Sequence, residues 1–475
     1  MSDSHAHRTA TVRERSPEIL SLSATTQARF IRERRVSSVE LIQAHLDQIA
    51  AVNPRINAAI DVLADSALSA ARLADEALHR GNSVGPLHGV PFSIKDSLEL
   101  AGYVCTAGTL GRRHAPPAAE DATLIARLRR AGAIPIARTN LPDLLFAFES
   151  DNLLYGVTRN PYDPARTSGG SSGGEAALIA SCGSPFGLGS DAAGSVRLPA
   201  AFCGIAAIKP TSGRLCRTGH FPPAGGWIEA LWQIGPMARH VEDLITVMPL
   251  LTGERTAPDA PADLRIAYYT GNADPEVAAV VRAAALALDA IEDRPACLDQ
   301  AYDLEMKLLG ADGGDGVRQY LRDLGSAEVH PLLTGWLDKL EAYRTDLAGF
   351  AAYWAEWDAY RADIAAFLRR YDVILCPAYP KPALLHGTSI EDENFRGFAH
   401  TMAYNVAGLP GAVVRCGESA GGLPIAVQIV AHPNREDIAL AVAARLEQEF
   451  GGWQPPPFLT ARHSPATQSP ALPLS

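Results

Sequence analysis

Between residues 89 and 208, short apolar runs alternate with helical patterns, and this rhythm constrains the fold more than any other feature of the chain. Gly89-Val90-Pro91-Phe92-Ser93-Ile94 is a strand-like run that leads into Lys95 and Asp96. Ile134–Ala137, Phe186–Gly189 and Ala206–Ile208 repeat the type. Between them, Asp121 caps an expected helix that runs through Arg130 and stops at Gly132. Glu175–Ala180 reads as a second helix, and a short third one should begin at about Ser195. Strands that are apolar throughout must be covered on both faces. The expected fold class is therefore α/β, with a largely buried mixed sheet at its core.

The flanks fit that scheme. Ser37 with Glu40 forms a capping box, and Val39, Ile42, Leu46 and Ile49 follow on one helical face. An Ala-rich helix runs from about Ser66 to His79 and ends at Gly81. From about 250 to 365 the pattern is more helical, with Pro275 at a helix start and the aromatic run Tyr353–Trp357. Val373–Leu375 resumes the sheet, Ala412–Arg415 and Ile425–Val430 read as a hairpin, and a closing helix carries Ile438, Val442 and Leu446. Residues 1–20 and 464–475 read as flexible tails. The span 21–463 reads as a single domain with a substrate-shaping helical insertion at about 250–365.

Composition excludes several classes. A net charge of −11 over 475 residues repels phosphate backbones and anionic lipid, so no nucleic acid is expected as a partner. The first twenty residues carry Arg8, Arg13 and Arg15 without an apolar core. No uncharged run approaches the ~18 residues of a membrane span. Seven cysteines without a CxxC pair point to a reduced, cytoplasmic compartment and buried thiols. Thirteen histidines form no HExxH pair, so neither a metal nor another cofactor is expected.

Two serines stand in separate Gly-rich turns: Ser171 in Gly169-Gly170-Ser171-Ser172-Gly173-Gly174, and Ser195 in Asp191-Ala192-Ala193-Gly194-Ser195-Val196-Arg197. Glycine lets backbone N–H groups converge near a hydroxyl, and a strand-to-helix junction adds the helix dipole. A serine nucleophile needs such donors for the developing oxyanion, and it needs a base. Lys95 is out of place after an apolar strand. Buried beside Ser171, it would lose its proton readily and offer a neutral amine. Each piece alone also has a plain reading: Ser195 as a helix cap, Ser171 in a structural cap or phosphate cradle, Lys95 as a solvated lysine. Their joint occurrence points to serine-based hydrolysis.

Lys95, the Gly-Gly-Ser-Ser-Gly-Gly turn and the Asp-x-x-Gly-Ser-x-Arg segment, in this order, resemble the amidase-signature family. Asn160-Pro161-Tyr162-Asp163-Pro164 before Ser168, Gly235–Arg239, Asn405 with Gly408-Leu409-Pro410, and Gly422-Leu423-Pro424 with Gln428 extend the resemblance. The stretch from Ser171 to Glu175, with Ala201–Gly204, looks most like the fatty-acid amide hydrolase branch and its bacterial amidase and urethanase relatives. The resemblance implies a large twisted mixed β-sheet covered by helices on both faces. It implies Ser195 as nucleophile, Ser171 as a bridging serine on a cis peptide, and Lys95 as base. The amides of Ala192, Ala193, Gly194 and Ser195 would form the oxyanion hole, with Asp191, Arg197 and Ser172 in support. Leu145, Phe146 and Phe148 would bind substrate, and Trp354 and Trp357 are candidates for further walls; core packing is the alternative for these aromatics. One position departs from the pattern: Ala193 stands where the family carries the first of two glycines. The implied activity is hydrolysis of apolar amides or anilides through an acyl-enzyme, extending to aryl carbamates, by a monomer or homodimer.

Rival readings carry less. Gly170–Gly174 also satisfies G-x-S-x-G with Ser172 as nucleophile, but a Pro-rich loop precedes it instead of a strand. Gly187-Leu188-Gly189 mimics a dinucleotide fingerprint without the acidic residue that should follow. The alternative from a different class is a glutamine-hydrolysing subunit of a tRNA-dependent amidotransferase, which uses the same three residues.

Overall fold

A computed structural model describes residues 18–82, 84–223, 227–254 and 263–460. Its centre is one mixed sheet of eleven strands in the order β1-β3-β2-β4-β6-β5-β10-β11-β9-β7-β8. In chain order these are β1 (Ala59–Val62), β2 (Pro91–Lys95), β3 (Ile134–Thr139), β4 (Phe186–Asp191), β5 (Ala206–Lys209) and β6 (Gln233–Ala238). They continue with β7 (Ile266–Tyr268), β8 (Ile291–Glu292), β9 (Val373–Pro377), β10 (Gly411–Glu418) and β11 (Pro424–Ala431). β2 runs parallel to β3 and β4, and the strands from β4 to β9 are antiparallel through β6, β5, β10 and β11. The fold is α/β, as the rhythm of the sequence implied.

The two-residue period of the strands divides their side chains between two faces. Ala206 and Ile208 of β5, Ala412 and Val414 of β10, and Val373 and Leu375 of β9 enter one apolar core. Ala207 and Val413 enter a second, and Ile374 and Cys376 a third, on the other side. In β2, Phe92 and Ile94 join the first core, which turns Ser93 and Lys95 toward the opposite face. There the fully buried helix Gly173–Ala180 packs.

The capping box forms: Ser37 Oγ accepts from Glu40 N–H at 3.1 Å, and Glu40 accepts from Ser37 N–H at 2.8 Å. Pro275 opens its helix, and the β10–β11 hairpin and the Glu436–Phe450 helix lie where expected. Three readings need correction. Asp121 does not cap: the helix begins at Thr123 after Ala122, with no side-chain cap. Asp121 instead accepts from Ala101 N–H at 3.0 Å and from Arg129 at 2.6 Å, pinning the preceding loop. Residues 18–20, read with the tail, belong to a helical turn over 18–21 that buries Ile19 and Leu20. Residues 1–17 and the reading for 464–475 lie outside the described residues. Finally, the segment 250–365 is not helical alone, because it supplies β7 and β8 at one edge of the sheet. Among the described residues no helix is long and apolar enough to cross a membrane.

Candidate active site

The last residue of β2 places Lys95 on the face where the 169–174 turn arrives. Lys95 is fully buried, Ser171 is 2% exposed and Ser195 is 7% exposed. Lys95 Nζ is hydrogen-bonded to Ser171 Oγ at 2.6 Å, and it reaches Ser190 Oγ at 3.1 Å and the Ser190 carbonyl at 3.3 Å. The Gly170–Ser171 peptide is cis. Burial pulls the Lys95 ammonium well below its ordinary value, against the opposing charges of Asp191 and Glu175. Close approach is possible because β4 carries glycines here: a Cβ on Gly189 would stand 2.7 Å from Ser172 Oγ.

The two serine turns are joined through the backbone, Ser172 N–H donating to the Ser195 carbonyl at 3.1 Å. Ser172 Oγ lies 3.3 Å from both the carbonyl and the N–H of Ser190. It is therefore occupied in tying that turn to β4. Ser195 Oγ forms no hydrogen bond with the described residues, so Lys95–Ser171 is the one link of the expected chain formed here.

Asp191 and Arg197 hold the second turn and are both fully buried. The guanidinium pairs at two points, Nε to Oδ2 at 2.9 Å and Nη2 to Oδ1 at 3.0 Å. It also donates to Gln428 Oε1 at 2.7 Å, to the Thr401 carbonyl at 3.0 Å and to Asn405 Oδ1. Burial would raise the Asp191 carboxyl, but Arg197 outweighs it and holds the group well below the usual carboxylate range. Asp191 also accepts from Gly194 N–H at 2.8 Å and Val196 N–H at 3.2 Å. The Gly194 amide, one of the four expected oxyanion donors, is thus bonded to Asp191 in this structure. The amides of Ala192, Ala193 and Ser195 have no acceptor among the described residues. Ala193 is 3% exposed and joins an apolar cluster with Leu145, Phe148, Phe398 and Met402.

That cluster is continuous with a cavity of about 510 Å³ lined by Phe146, Ile228, Leu309, Val317, Leu347 and Phe350, with Asp312 and Asp346 also on its wall. Of the three substrate-binding candidates, Phe146 lines the cavity. Leu145 and Phe148 are buried behind it, with Phe148 stacked on Phe398 and Trp336. Trp357 is buried and its indole N–H donates to the Val406 carbonyl at 2.7 Å, while Trp354 is 38% exposed. Neither lines the cavity.

Sequence reading missed three contributors. Ser190 supplies two of the three contacts of Lys95. Glu175, fully buried, accepts from Thr139 at 2.6 Å and from Ser93, and burial raises its carboxyl to about 7. A lone acid in the otherwise apolar helix Gly173–Ala180 was the available signal. Thr401, whose hydroxyl contacts the Ala193 carbonyl at 2.8 Å, carried none.

Comparison with known proteins gives the family. The sequence matches the family described as Amidase over residues 40–440. A fatty-acid amide hydrolase 2-A of Danio rerio is 32% identical over 483 residues, covering 92% of this chain and 90% of its own. A glutamyl-tRNA(Gln) amidotransferase subunit of Carboxydothermus hydrogenoformans is 32% identical over 482 residues, covering 91% and 98%. The structure of a 6-aminohexanoate cyclic dimer hydrolase complexed with substrate superposes with a TM-score of 0.82 at 28% identity, covering 93% of this chain and 99% of that one. With the match spanning most of the chain and the relatives aligned almost end to end, this protein belongs to the Amidase family, the amidase-signature hydrolases.

Proposed function

We propose that this amidase-signature hydrolase cleaves apolar amides and anilides through Lys95, Ser171 and Ser195. The observation that carries the reading is the 2.6 Å hydrogen bond between the buried Lys95 amine and Ser171, on a turn bonded to that of Ser195. Neutral Lys95 takes the Ser171 proton as Ser171 takes that of Ser195, whose Oγ forms a bond to the carbonyl carbon. The Ser171–Ser195 contact closes as substrate binds, since catalytic hydrogen bonds tighten in the bound complex. The amides of Ala192, Ala193 and Ser195 receive the oxyanion. The proton returns along the same path to the leaving nitrogen, the C–N bond breaks, and water repeats the cycle on the acyl-enzyme.

The cavity at Phe146 accommodates the apolar arm of the substrate, and its volume lies within the ordinary range of ligand pockets, about 300–1,000 Å³. A urethane carbonyl presents the same electrophile, so aryl carbamates fall within the proposed range. A second reading is favoured by one observation. The amidotransferase relative is as similar as the fatty-amide enzyme, at 32% identity for each. A panel of p-nitroanilides, fatty amides, aryl carbamates and glutamine separates the two. The first reading expects turnover of apolar substrates by the purified chain. Ammonia release from glutamine with no turnover of the others would replace it with the second.

A further inference from the structure

The geometry points to Thr401 as a positioning residue that holds the Ala193–Gly194 peptide in the turn leading into Ser195, an inference that rests on the proposed role of Ser195. Thr401 is fully buried in the helix Ala399–Val406. A helical threonine ordinarily returns its hydroxyl to a carbonyl three or four residues back. Here the Phe398 carbonyl is 3.0 Å from Thr401 Oγ1, but the Ala193 carbonyl, from a different segment, is closer at 2.8 Å.

That carbonyl belongs to the Ala193–Gly194 peptide, whose N–H end is held by Asp191 at 2.8 Å. The peptide is thus clamped at both ends, by Thr401 on the oxygen and Asp191 on the nitrogen. The clamp matters because Gly194 sits at φ +124°, a conformation that an L side chain rarely adopts and that glycine alone does nothing to hold. A Cβ at this position would stand 2.6 Å from Thr401 Cβ, so glycine is required for the helix to approach this closely. Holding the peptide plane restricts ψ of Ala193 and φ of Gly194, the two torsions that flank it and lead the chain into Ser195. Arg197 donates to the carbonyl of Thr401 itself at 3.0 Å, so the Asp191–Arg197 pair and the hydroxyl brace the same helix turn. Thr401 touches no reacting atom. It acts through Ala193 and Gly194.

The test compares Thr401→Val, which keeps the shape and removes the hydroxyl, with Thr401→Ser, which keeps the hydroxyl and removes a methyl. Kcat on a p-nitroanilide and the rate of fluorophosphonate labelling at Ser195 are measured for each. A misplacement of the turn predicts a kcat about 10- to 100-fold lower in Thr401→Val with KM within about twofold, a parallel fall in labelling, and recovery to within about threefold in Thr401→Ser. Thr401→Ala, which sets no apolar atom against the Ala193 carbonyl, reads the same loss if the valine variant fails to fold. Wild-type kcat in Thr401→Val, or equal losses in the valine and serine variants, overturns the inference and leaves Ser195 in its role. Absence of Ser195 labelling in the wild-type protein overturns both.

Discussion

Removing the Arg197 guanidinium tests how the Ser195 turn is held. Arg197→Met takes away both side-chain contacts to Asp191, strands the Gln428 and Asn405 side-chain oxygens and removes a donor from the Thr401 carbonyl. Asp191 keeps only neutral donors, from Gly194, Val196, Asn405 and the backbone N–H of position 197. Breaking one side of a fully buried ion pair costs about 3–5 kcal/mol. A chain of 475 residues unfolds with an entropy on the order of 1 kcal/mol/K near 60 °C, so the loss lowers Tm by about 3–5 °C. Scanning calorimetry at pH 7 reads this directly. Arg197→Lys keeps the charge without the two-point geometry and falls by less. The sign of the pH dependence follows from the depressed Asp191 carboxyl. Its stabilisation is present above the ordinary carboxylate value and is lost as pH falls below about 4. The Tm gap between wild type and Arg197→Met should therefore narrow in acid. A drop under about 1 °C at pH 7, or a gap that widens in acid, would refute the reasoning.

Glu175→Gln removes a carboxylate that, ionised above about 7, raises the Lys95 value, so a Lys95-dependent limb lying above that pH should move toward lower pH; a shift upward contradicts the electrostatics. Filling the cavity with Leu309→Trp should lower the kcat/KM ratio of decanoyl- over acetyl-p-nitroanilide about tenfold, and an unchanged ratio removes the cavity from substrate binding. Lys95→Met should cost about 10²–10⁴ in kcat/KM, the range of general base catalysis, and wild-type rates would dismiss Lys95 as the base.

What the sequence made legible was what local chemistry dictates. The apolar runs ending at Lys95 and near Asp191 became β2 and β4, and the Ser37–Glu40 box formed because its partners lie within one turn. β6 was hidden because Pro236 sits inside it; only its long-range pairing with β4 makes it a strand. β7 and β8 were too short to carry a period. In the site, Lys95 and Ser171 stood out by being chemically odd where they are, whereas Thr401 and Ser190 are ordinary residues given their roles by the tertiary fold. For Gly194 a motif counts donors without showing that an internal carboxylate accepts from one of them.

In the proposed mechanism a neutral Lys95 acts through Ser171 to activate Ser195. Mapping the residue modified by a fluorophosphonate, and its rate against pH, tests that most directly. The predicted result is label on Ser195, none in Ser195→Ala, and a rate that climbs as Lys95 loses its proton, well below the pH at which an ordinary lysine titrates. Label on another residue, undiminished labelling in Ser195→Ala, or a rate that falls as pH rises would contradict it.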